Sequence, residues 1–170
     1  MLARATLFLL GMTSAAQAAC DAGEQTFMSC QIAGDDRLLS VCFDEATAHY
    51  SFGPAGKPEL TLDEPITTLH YTPWPGVGRA IWESVTFHND AYSYTVAGGF
   101  DRMFDDESDA DDVSRHFGNV TVRRGETIVA ELQCDPETVD FAWGEGLWSA
   151  KQAADQEWDR AAQRWVTVPD

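Results

Sequence analysis

Ile81-Trp82-Glu83-Ser84-Val85-Thr86-Phe87-His88, then Asn89-Asp90, then Tyr92-Ser93-Tyr94-Thr95-Val96-Ala97 is the stretch that sets the fold class. Apolar and polar side chains alternate through the first arm. In the second, Tyr92, Tyr94 and Val96 share one face, and Asn89-Asp90 is a turn of the kind that closes antiparallel hairpins. The same grammar extends upstream. Phe27 to Ile32 and Leu38 to Phe43 read as two strands turned at Gly34-Asp35-Asp36. Ala48 to Phe52, closed by Gly53-Pro54-Ala55-Gly56, precedes Glu59 to Leu62. Ile66 to Tyr71 reads as a strand or an irregular crossing, and Pro73-Trp74-Pro75-Gly76-Val77-Gly78 as a loop. Downstream, Phe117 to Val122 runs through Arg123-Arg124-Gly125-Glu126 into Thr127 to Leu132. The expected fold is mainly β, an antiparallel meander of about eight strands forming a barrel or a sandwich.

The chain ends sort differently. Arg4, the apolar run Ala5 to Met12 and Ala16-Gln17-Ala18 before Ala19 have the order of a cleavable export signal over residues 1–19. The apolar run is too short to span a bilayer. Gln17 stands where a lipoprotein signal usually carries Leu, so cleavage is favoured over a lipid anchor on Cys20. A periplasmic or secreted location follows as the expectation. The four cysteines, Cys20, Cys30, Cys42 and Cys134, all follow the cleavage point, and an even number in an exported chain reads as two disulfides. If the first two strands pair, Cys30 faces Cys42, so Cys30–Cys42 and Cys20–Cys134 are the expected bridges.

After Cys134 the pattern changes. Asp135 and Pro136 look like the cap and first residue of a short helix, and Leu147 to about Val166 reads as a longer amphipathic α-helix. Its stripe is Leu147, Ala150, Ala154, Trp158, Ala161 and Trp165. Residues 20–134 are thus read as a disulfide-bonded β domain and 135–170 as a helical extension. Leu147, Trp158 and Trp165 are candidates for partner binding if the stripe does not dock at home. Trp143 and Trp148 fit either role.

Charge narrows the partners. The export signal holds one of the eleven basic residues and none of the 28 acidic ones, so the mature chain carries −18. Such a surface repels phosphate backbones and anionic headgroups, which argues against nucleic acid, and it steers cationic partners inward. Between 101 and 116 stand Asp101, Asp105, Asp106, Glu107, Asp109, Asp111 and Asp112, read as a solvated loop. It lacks the glycine and distal glutamate of a calcium loop, so whether it holds a metal stays unknown.

No nucleophile elbow, His-Glu-x-x-His, phosphate loop or Cys-x-x-Cys is present, so no catalytic residue and no cofactor is assigned and the enzyme question leans to no. The histidines are scattered; His88, beside Asn89-Asp90, is read as a turn residue. Three functions are weighed: a binding or accessory protein for another envelope protein, an inhibitor of a cationic cell-wall hydrolase such as lysozyme, and a small-molecule or glycan binder with Trp74, Trp82, Tyr92 and Tyr94 around a barrel mouth.

Cys20-x-x-x-Glu24-Gln25-Thr26-Phe27-x-Ser29-Cys30, Ser40-Val41-Cys42, Tyr50-Ser51-Phe52-Gly53, Lys57-Pro58-Glu59-Leu60 and Gly76-x-Gly78-Arg79 together resemble a group of small exported proteins of Gram-negative bacteria that has no assigned function. The resemblance runs from Cys20 to Cys134. It implies an exported β domain with structural cysteines and transfers no activity. The acidic stretch and the tail are departures from it.

Overall fold

The computed structural model describes residues 20–102 and 115–168; the export-signal stretch, most of the acidic segment and the last two residues lie outside the described residues. The fold is mainly β, with three antiparallel sheets and one short helix among the described residues. The first sheet is a meander of β1 (Gln25–Gln31), β2 (Arg37–Phe43), β3 (Thr47–Pro54) and β4 (Leu60–Pro65). The second meanders through β5 (His70–Thr72), β6 (Ala80–Asn89), β7 (Tyr92–Asp101), β8 (Arg115–Arg124) and β9 (Thr127–Gln133). A two-residue strand, β10 (Asp140–Phe141), returns to the outer side of β1.

The hairpin of β6 and β7 and the ladder of β7 with β8 are the longest, with ten pairs each. The β6–β7 register runs from Asn89↔Tyr92 to Ala80↔Asp101, which leaves Asp90 and Ala91 as the turn, one residue later than the sequence suggests. Asp90 takes a positive φ of 52°, a conformation that Asp tolerates better than most residues. β7 and β8 extend to the pair Asp101↔Arg115, so the ends of the acidic segment are strand. Ile66 to Tyr71 is mainly a crossing, and only its end joins β5.

The two five-stranded sheets share one core, an arrangement consistent with a sandwich. Met28, Leu39, Val41, Ala48 and Tyr50 of the first sheet pack with Tyr71, Val85, Phe87, Val96 and Val120 of the second. At one seam backbone groups join the sheets: Ile32 bridges Cys134, Ala33 N–H donates to Gln133 O and Asp135 N–H donates to Gln31 O.

Two disulfides are present, with pairings that differ from the expected ones: Cys20–Cys42 and Cys30–Cys134. The reason is register. Cys30 pairs with Leu39 on the core face, whereas Cys42 pairs with Thr26 beyond an irregularity between Thr26 and Met28, so Cys30 and Cys42 point to opposite faces. Cys134 instead lies beside Cys30 at the seam. The two bridges fit an oxidising extracellular or periplasmic compartment. Among the described residues no helix is long and apolar enough to cross a membrane.

The tail also departs from expectation. Asp135 does cap a short helical turn, Pro136–Thr138, by accepting from Glu137 N–H. The long helix, however, is only α1 (Glu145–Ala153). Asp155, at φ 56°, ends it, and the chain continues as a hairpin of β11 (Gln156–Asp159) and β12 (Arg164–Thr167) with Trp158 opposite Trp165. Asp159 Oδ1 accepts from the N–H groups of Ala161 and Ala162 and builds the turn. A seven-residue spacing suits both a helix stripe and a cross-strand pair, which is why the sequence pattern reads as helix.

On the chain-entropy account, the bridge that closes 104 residues stabilises more than the one that closes 22, by about 1 kcal/mol within a range of roughly 3 to 5 kcal/mol each. Thermal and urea unfolding of Cys20→Ser/Cys42→Ser and of Cys30→Ser/Cys134→Ser should both show losses of this order, larger for the second pair. Cysteine mapping that recovers a Cys30–Cys42 peptide from the native protein would refute the register.

Candidate functional site

Alternation along β6 puts Glu83 on the same side as Ile81, Val85 and Phe87, so an acid enters the core face. It is 6% exposed. Its cross-strand partner is Gly98, and the space over Gly98 is filled by Phe141 and Met28. The hydroxyl of Tyr71, on the neighbouring β5, donates to Glu83 Oε1 at 2.7 Å. The backbone N–H of Trp74 bonds the same carboxylate. Burial pushes Glu83 up to about 7, and those two hydrogen bonds only partly oppose it. Burial and the facing carboxylate push the Tyr71 phenol well above its ordinary value, so Tyr71 stays a donor. The pair therefore holds a proton near neutrality in a dry setting.

Beside it lies an aromatic end. Pro73 and Trp74 follow β5, and the Trp74 indole N–H donates to Val77 O at 3.2 Å. The Arg102 guanidinium lies 4.9 Å from the centre of the Trp74 ring and donates to Gly78 O at 3.1 Å, which clamps the loop. Trp143 meets Trp74 and Phe100 edge-on, at 6.5 and 5.9 Å between centroids, and Phe100 in turn meets His116 at 5.8 Å. Trp143 is 49% exposed, so a large apolar surface is presented to solvent beside two aromatic neighbours.

The three residues singled out for partner binding sit elsewhere. Leu147 is 3% exposed and belongs to the core. Trp165 stacks on Tyr71 at 5.7 Å, and its indole N–H donates to Tyr71 O at 2.9 Å. Trp148 and Trp158 both pack against Trp165, and Trp158 is half-buried. Lys151, buried by α1, donates from Nζ to Leu69 O at 2.6 Å; burial lowers its amine to about 8. The stripe thus docks on β5 and the crossing before it.

The aromatics expected at a barrel mouth are not gathered. Tyr94 packs on Tyr50 in the core, Tyr92 lies at the β6–β7 turn under Arg124, and Trp82 pairs with Gly99 near the far end of the same ladder. His88 bonds Glu64 of β4 at 3.1 Å rather than Asp90. A separate groove of about 490 Å³ lies on the outer side of β1, β2 and β3. Ser29, Ser40 and Ser51 form its floor, with Leu38, Pro54 and Pro58 at its edges, and no charged side chain lines it.

Glu83 was legible in principle: an acid at the inward parity of an otherwise regular strand is the signal. Tyr71, twelve residues earlier on a three-residue strand, offers no comparable cue. Comparison of the chain with known protein families, curated proteins and solved structures found no match.

Glu83 fixes a pH dependence. Below about pH 4.5 the carboxyl is protonated in both folded and unfolded chains, so it contributes no difference. As pH rises to about 7, the unfolded chain loses the proton while the folded one keeps it, and stability falls by roughly 3 kcal/mol. Glu83→Gln, which still accepts from Tyr71, should match wild type near pH 4 and unfold at higher temperature than wild type at pH 8. A gap that stays constant with pH would show that Glu83 binds its proton equally in the folded and unfolded chains, which would refute the upward shift.

Proposed function

We propose that this is an exported, non-enzymatic binding protein that engages another component of the envelope through its aromatic end. The observation that carries the reading is Trp143, half exposed yet held on Trp74 and Phe100 with Arg102 clamping the loop beneath. An immobile aromatic side chain loses little entropy on binding and buries a large apolar area, which is why such residues dominate interfaces. The Trp148, Trp158 and Trp165 cluster packs on Tyr71 instead and is not part of that surface. A second reading, a glycan or small-ligand binder, is supported by the uncharged, serine-floored groove, whose volume falls within the usual range of roughly 300–1,000 Å³ for such sites.

Trp143→Ala removes the exposed ring and leaves the Tyr71–Glu83 pair in place. Tagged wild type and variant, produced with their export signal and captured from the native envelope at low and high salt, should differ in one or a few co-purifying proteins. These partners should be weakened at least about tenfold in the variant. Partners that elute with salt and ignore the substitution would instead favour the acidic surface and the hydrolase-inhibitor reading. Equal capture at all salt concentrations would remove the aromatic end as the binding surface.

A further inference from the structure

One row of hydroxyls crosses the outer face of the first sheet. Ser29 of β1, Ser40 of β2, Ser51 of β3 and Thr61 of β4 stand side by side, by the register Ser29↔Ser40↔Ser51↔Thr61. Neighbouring strands lie about 4.8 Å apart, so the row offers a group that both donates and accepts at that interval. The three serines, partly buried, form the floor of the groove of about 490 Å³, and among the described residues none of their hydroxyls has a hydrogen-bond partner. Both walls are fixed. The β3–β4 turn curls over Gly53, at φ 144°, where a Cβ would collide with Glu59 N. Lys57 N–H on Pro54 O at 2.9 Å and Glu59 N–H on Phe52 O at 2.8 Å close that turn. On the β1 side the Thr138 hydroxyl accepts from Gln31 N–H at 2.9 Å and donates to Asp135 O at 2.8 Å. Arg37 pairs with Asp35 and with Glu59 at 2.8 Å each, which ties the β1–β2 turn to the β3–β4 turn and satisfies those charges outside the groove.

We propose that this groove binds an uncharged, extended β-1,4-linked oligosaccharide laid along the serine row, across the strands. The proposal rests on the ligand-binding reading of the groove given above and names the ligand class. Each hexopyranose ring of such a chain advances by about one inter-strand spacing, so successive rings meet successive strands. A ring hydroxyl and a serine hydroxyl each give and take hydrogen bonds, so the pairing works in either direction. An extended peptide fits the row less well, because its same-side groups repeat about every 6.7 Å and fall out of step with the serines. Leu38, Pro54 and Pro58 at the edges offer apolar contact to the C–H faces of the rings. Charge selects within the class. No side chain lining the groove can pair with a uronate or a sulfate, and the strongly acidic chain repels both. Asp140 of β10, the register partner of Ser29, adds an acid at the head of the row. The other end runs out at Thr61, exposed on the edge strand of the sheet, so the row is open to solvent there and sets no limit on the length of the chain.

The test titrates the chain from residue 20, with both disulfides intact, against cellohexaose and chitohexaose by calorimetry, beside an oligoguluronate of the same length and a neutral extended peptide. At least one neutral hexasaccharide should bind, with an affinity that rises with chain length up to about four rings, one for each hydroxyl of the row. The oligoguluronate should bind at least about tenfold more weakly. Ser40→Val and Ser51→Val suit a strand and remove one hydroxyl each; both variants should stay folded by circular dichroism and weaken the glycan about three- to tenfold. Ser93→Val, on the second sheet, should leave its affinity unchanged. Failure of both hexasaccharides to bind the folded chain would overturn the proposal. If the peptide then binds and is lost in Ser40→Val, the groove stands as a ligand site and only the glycan class is wrong. Glycan binding that ignores both groove substitutions, or that Ser93→Val weakens as much, would remove the groove itself, and equal affinity for the charged and neutral chains would overturn the selection by charge.

Discussion

The sheets can approach each other only because Gly98 and Gly118 have no side chains. A Cβ on Gly98 would meet the Phe141 ring and the Met28 sulfur, and one on Gly118 would meet the Cys134 and Met28 sulfurs, all below 3 Å. Met28 and Phe141 fill the volume that those two glycines leave, and the close approach lets Cys134 bond Cys30 across the seam. Interiors are packed too densely to absorb even one methyl group at such a point. The position of β10, the burial of Glu83 opposite Gly98 and the seam hydrogen bonds all follow from it.

That packing makes ionisable groups expensive inside a chain that is otherwise strongly acidic outside. Glu83 and Lys151 are both buried, and burial moves each towards its neutral form from opposite directions. Each is retained with hydrogen-bond partners at the boundary where β5 meets other elements, the Trp74 loop on one side and α1 on the other. The exposed tryptophan and the neutral groove occupy different faces from these groups. Recognition by apolar or uncharged contacts can then coexist with a net charge of −17, which keeps the rest of the surface hydrated.

Much of the meander was legible because alternation and turn chemistry are local. Ile81 to His88 and Tyr92 to Ala97 became β6 and β7 with one-residue corrections at the turn, and Gly53 to Gly56 closes β3 as its composition suggests. Pairing across the sheet was less legible. The register next to the turn sets Cys30 against Leu39, three residues from Cys42 and so on the opposite face, and no residue in the hairpin announces it. The candidate site suffered in the same way. Trp143 reaches Trp74 and Phe100 across more than 40 residues of sequence, a contact that composition cannot reveal.

By itself, the sequence determined the class of fold, the even set of cysteines and the acidic surface, since each rests on side-chain period, parity or charge, properties that need no neighbour. Only the tertiary structure decided which cysteines bond, that the tail turns back as a hairpin after α1, and that Glu83 is enclosed with Tyr71. The reason is the same in all three cases. Residues such as Trp158 and Trp165 satisfy more than one local pattern, and the choice between patterns is made by what Trp165 can bury against, the ring and carbonyl of Tyr71, 94 residues away in the chain.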